Sequence, residues 1–115
     1  MISEPAEQLY SRLLDMYQDA IKAGRPELGY HLLAAALHAA EELGSLERLA
    51  EVRQLAEVRQ KQLDAARPEH RLSSGAAQLR GNTAQYTALA AIAAAASGRI
   101  SADRTLKRSR SVQAQ

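Results

Sequence analysis

Three consecutive stretches of this chain carry apolar residues every three or four positions, and each stops at a residue that ends helices: Gly24, Gly44 and Pro68. A period near 3.6 places apolar side chains on one face of a helix, whereas a strand alternates sides every second residue. The chain is therefore expected to be all-α, with helices over 4–23, 27–43 and 46–66. In the first, Ala6, Leu9, Leu13, Tyr17 and Ala20 form the apolar stripe, flanked by Tyr10, Leu14 and Ile21. Ser3 suits the N-cap and Pro5 the first turn, where its missing N–H costs little. In the second, Leu28, Leu32, Ala36, Ala39 and Leu43 share a side, widened by Leu33 and Ala40. A link of two or three residues favours an antiparallel hairpin. Ser45 is a good N-cap for the third helix, which would bury Leu46, Leu49, Val52, Ala56 and Leu63.

Within the third helix the hexapeptide Leu49-Ala-Glu-Val-Arg-Gln54 recurs as Leu55-Ala-Glu-Val-Arg-Gln60. Six residues turn a helix by about 600°, so the two copies point ~120° apart and cannot make the same contacts. Residues 67–75 read as a polar loop, with Ser73 or Ser74 capping an alanine-rich helix over 76–97. Alanine has the highest helix propensity but little side-chain area, so this helix is expected to pack on its own chain or on a neighbour. After Gly98 hydrophobicity falls, and 99–115 reads as a disordered basic tail. The expected architecture is a three- to four-helix antiparallel bundle over 1–98, followed by that tail.

Composition removes several function classes. The 115 residues contain no Cys, Phe or Trp, so there is no disulfide framework, thiolate nucleophile or zinc ribbon. The longest uncharged apolar run, Ala88–Ala96, is far short of the ~20 residues that span a bilayer, and no N-terminal stretch resembles a signal peptide. No membrane insertion and a cytoplasmic location are expected, and the arginine- and alanine-rich usage suggests a bacterial source. The net charge of +2 hides a division: residues 99–115 carry +4, which leaves −2 on residues 1–98.

Gly24, Gly29, Leu33 and Ala36, with Leu13 and Met16 upstream, follow the spacing of a tetratricopeptide-type helical hairpin. There a turn glycine precedes a second helix bearing a small, a large apolar and another small residue. Residues 10–43 resemble one such hairpin, although Tyr17, Ala20 and Glu41 stand where that family has glycine, tyrosine and proline. Moving on by the family's 34-residue period reaches Glu47, Ala50, Glu51 and Gln54, which do not repeat the pattern. The resemblance implies a protein- or peptide-binding groove and no catalysis.

Candidate sites are few. Glu27, His31, His38 and Glu42 fall within a ~60° arc of the second helix and are weak metal-ligand candidates. The two histidines are ~10.5 Å apart along the axis, so one ion would need donors from elsewhere. No phosphate-binding loop, nucleophile turn or cofactor motif is present, and no catalysis or cofactor is expected. Tyr10, Tyr30, Leu33 and Leu37 are the candidate partner-binding residues. Arg99, Arg104, Lys107, Arg108 and Arg110 form a basic arm suited to phosphates, without aromatic side chains for base stacking. The expected function is a non-catalytic protein–protein interaction module, an adaptor or small chaperone-like subunit, whose partner is another protein or a second copy of the chain. The alternative is tethering to nucleic acid or an anionic surface through the arm.

Overall fold

A computed structural model describes residues 3–114, and among them every regular element is a helix: α1 (Ser3–Lys22), α2 (Pro26–Leu43), α3 (Leu46–Ala66), α4 (Ser74–Leu79) and α5 (Gln85–Ala114). The first three match the expected boundaries to within a residue. Ser3 is itself helical, so the cap of α1 lies outside the described residues. Gly24 takes φ +72, which lets Gly24 N–H reach Ile21 O at 3.0 Å and Arg25 N–H reach Ala20 O at 2.9 Å. Gly44 closes α2 in the same left-handed way, and Ser45 Oγ then accepts Arg48 N–H at 3.1 Å to start α3.

Two antiparallel pairs make up the body. α1 packs on α2, α5 runs along α3, and α2 touches both members of the second pair. Tyr10, Tyr17, Leu33, Leu37, Leu49, Val52, Leu72, Tyr86 and Leu89 fill the centre, with buried alanines from α2, α3 and α5 among them. Tyrosine here does the work that phenylalanine usually does. The phenol of Tyr86 reaches Pro26 O at 2.7 Å, so its polar tip is satisfied while its ring is buried.

The expected helix over 76–97 is corrected to two. Ser73 Oγ caps α4 by accepting Ala76 N–H at 3.1 Å, but the helix stops at Leu79. Gly81 turns to φ +73, with its N–H on Gln78 O and Asn82 N–H on Ala77 O, and α5 starts afresh at Gln85. The break lets Tyr86, Leu89, Ala93 and Ala96 face the core, while Leu79 is left 91% exposed.

The disordered tail is corrected as well, since α5 continues through Gly98 to Ala114 and crosses the expected domain boundary. Polarity was the basis for expecting disorder, but Arg, Lys, Leu, Ala and Gln are also good helix formers extending a helix already nucleated. Ile100 still packs against the core. Arg53 and Glu57 on α3 face Ala90, Ala91 and Ala94 on α5, a register that brings α3's first turn level with about residue 101. Everything beyond overhangs, by about 20 Å at 1.5 Å per residue, and residues 101–111 are all exposed. The molecule measures 59 × 31 × 17 Å.

Candidate interaction surfaces

The side of the α1–α2 pair that faces α3 and α5 is sealed. Tyr10 is 1% exposed, donates to Glu51 Oε1 at 2.7 Å and lies 3.2 Å from Arg48 O. The Arg48 guanidinium sits 5.2 Å from the Tyr10 ring centre and also meets Glu7 at 3.4 Å and Glu51 at 3.5 Å. Burial first, then the Glu51 hydrogen bond and charge, pushes the Tyr10 phenol well above its ordinary range. Leu33 and Leu37 are likewise core residues. Three of the four expected partner-binding side chains are thus occupied within the chain, a correction. Tyr30 is only partly buried, with its ring edge-on to Tyr86 at 5.8 Å.

The opposite side of that pair is open. Leu9 and Met16 on α1 are 50% and 52% exposed, and Leu28 on α2 is 49% exposed. Leu13, Leu32 and Ala35 lie between them, partly buried. Leu9 and Leu28 belong to the apolar stripes of their helices, yet both are half exposed, because a stripe indicates which residues avoid water and not which neighbour covers them. The centre of α1's buried face instead runs through Tyr10 and Tyr17. Met16 had appeared only as a slot in the hairpin pattern. The signal that would have found this face is the width of the stripe: Leu9, Tyr10, Leu13, Leu14, Met16 and Tyr17 cover more than the one face a single neighbour needs.

Between α3 and α5 lies a groove of about 380 Å³ with an alanine floor, Ala90, Ala91 and Ala94, and a charged rim of Arg53, Glu57, Lys61 and Asp64. At its end Asp64 fastens α4. Its Oδ1 accepts from Ser74 N–H at 2.8 Å and from Gln60 Nε2 at 3.0 Å, and its Oδ2 accepts from Ser74 Oγ at 2.6 Å. Partial burial opposes the charge on Asp64, but the two Ser74 bonds and Gln60 outweigh it and hold the carboxyl below its usual range. Gln60, 5% exposed, also donates to Leu72 O at 3.1 Å.

The metal-ligand candidates stay apart. Arg71 grips Glu27 through both carboxylate oxygens at 2.8 and 2.7 Å and holds it below the ordinary range. His38 lies 4.0 Å from Glu41, while His31 and Glu42 are exposed. No three ligating side chains gather among the described residues.

The five basic residues divide into two groups. Arg104 donates to Gly44 O at 2.6 Å, at the carbonyl end of α2, and Arg99 lies 3.7 Å from Glu41. Lys107 pairs with Asp103 on the next turn at 3.5 Å. Arg108 and Arg110 are exposed, with no ion-pair partner among the described residues. No described helix is long and apolar enough to cross a membrane. Compared with known proteins, the chain matches no family model, no curated protein and no solved structure.

Proposed function

We propose that the chain is a non-catalytic protein-interaction module whose working surface is the outer face of the α1–α2 hairpin. The observation that carries this reading is the set Leu9, Met16 and Leu28, each about half exposed on one face that no described helix covers. Large apolar side chains grouped in this way mark interaction sites more often than scattered ones do. The resemblance of residues 10–43 to a tetratricopeptide-type hairpin supports the same reading. The groove between α3 and α5 is a weaker candidate, since alanines offer little area and its rim is charged.

The test is site-specific photo-crosslinking in native extract. A benzophenone side chain replaces Met16, and a control replaces Lys61 on the far pair. The reading predicts a discrete protein adduct at position 16, lost when Leu9→Glu and Leu28→Glu are added, and none at position 61. Adducts that ignore those substitutions, or that form equally at both positions, would overturn it.

A further inference from the structure

One end of the body is acidic, and a basic helix leaves from that same end. Where α2 gives way to α3, Glu41 and Glu42 close one helix while Glu47 and Glu51 open the next. Glu7 of α1 joins them through Arg48. The chain answers part of this charge itself: Arg48 meets Glu7 and Glu51, Arg99 meets Glu41, and Arg104 caps the carbonyl end of α2. Glu42 and Glu47 are left exposed, with no ion-pair partner among the described residues.

The cations that would match them lie on the overhang. Lys107, Arg108 and Arg110 follow Arg104 on a helix that has already passed α3's first turn, and a continuous helix cannot fold back onto its own end. A second copy of the same chain presents an acidic end whose charge complements the arm. Leu106, 51% exposed in the middle of the arm, favours a protein surface: it adds nothing to a contact with phosphates but contributes area to a helix–helix contact.

We propose that two copies exchange arms. The overhang of α5 in each lies against the acidic α2–α3 end of the other, with Arg108 and Arg110 set against Glu42 and Glu47. The exchange is reciprocal, so it closes as a two-fold dimer and leaves no arm for a third copy. Two overhangs of about 20 Å bury an area at the low end for specific interfaces. The dimer is expected to loosen by roughly tenfold or more between 50 and 300 mM salt, because its pairs are exposed. It uses a different surface from the hairpin face and stands or falls separately.

The experiment is sedimentation equilibrium on nuclease-treated full-length chain. Arg108→Glu/Arg110→Glu reverses the arm, and Glu42→Arg/Glu47→Arg reverses the end. Each variant alone is expected to be monomeric where the parent dimerises, with an unchanged helical signal. Mixed one to one, they regain a dimer, because each reversed arm then meets a reversed end and each parent arm meets a parent end. A parent that is monomeric at several hundred micromolar in 50 mM salt would overturn the proposal. So would a dimer indifferent to either reversal, or association seen only when nucleic acid is present.

Discussion

The hydroxyl of Tyr86 lies 2.9 Å from the point where a side chain on Gly29 would begin, and it donates a 2.7 Å hydrogen bond to Pro26 O one turn back along α2. Gly29 is where the two helix pairs lock together. The same point is 2.7 Å from Ile21 Cδ1 of α1 and 3.5 Å from Tyr17 Cε1, so three helices meet over a residue with no side chain.

In an open helix Gly→Ala stabilises by about 1 kcal/mol. At Gly29 the sign should reverse. Ile21 can swing its terminal methyl aside, but Tyr86 is anchored by its hydrogen bond, and overpacking of this kind costs about 1–3 kcal/mol. Gly29→Ala is expected to lower the thermal midpoint by several degrees. Tyr86→Phe also costs stability, about 1 kcal/mol for the lost bond. The double variant is expected to cost less than the two together, because removing the hydroxyl makes room for the methyl. Strict additivity in thermal melts would refute the contact.

The repeated hexapeptide indicates how much of this was readable. Leu49 and Val52 of the first copy are buried, whereas Val58 of the second is 46% exposed. Gln54 faces solvent, while Gln60 is buried against Leu72 O. A rotation of ~120° between copies predicts that difference from geometry alone. The helix ends at Gly24, Gly44 and Ser45 were equally legible, because caps are local chemistry. What could not be read was which side of a wide stripe is covered, as at Leu9 and Leu28, since that depends on residues far away in sequence. The length of α5 was also hidden: Arg99 and Arg104 are tied to Glu41 and Gly44, partners about sixty residues distant.

The break between α4 and α5 rests on Gly81, whose φ of +73 a side chain adopts only with strain. Gly81→Ala is expected to destabilise by about 1–2 kcal/mol although nothing crowds the position. Gly98 lies inside α5, equally uncrowded but without a positive φ, and Gly98→Ala is expected to stabilise by about 0.5–1 kcal/mol. Opposite shifts in thermal midpoint test the assignment; shifts of the same sign would contradict it.

Burial holds the phenols of both Tyr10 and Tyr86 in their protonated form, and the Glu51 hydrogen bond adds to this at Tyr10. The unfolded chain releases these protons near pH 10, and the folded chain only well above it. Their contribution is therefore complete below about pH 10 and is lost as pH rises further. Denaturant midpoints should hold steady up to that point and then fall. In a Tyr10→Phe/Tyr86→Phe variant, less stable at neutral pH, the alkaline fall should be shallower. An equally steep fall would place the responsible groups elsewhere.

Asp64 gives the acid side its own limb. Its folded carboxyl is held below the usual range by Ser74 and Gln60, despite burial that works the other way. Stability from this group is present above about pH 4, where the unfolded carboxyl is also ionised, and is lost as pH falls through the lower folded value. Asp64→Asn keeps the shape but removes the charge that strengthens three hydrogen bonds, and is expected to cost about 1 kcal/mol at neutral pH. Asp64→Ala leaves the partly buried Ser74 N–H short of an acceptor and is expected to cost about 2 kcal/mol. Because Ser74 begins α4, the loss should appear locally, as faster amide exchange at Ser74 and Ala76 with little change in the centre of α1 or α2. Exchange that quickens equally across all helices would mean that Asp64 supports the whole core and not the docking of α4.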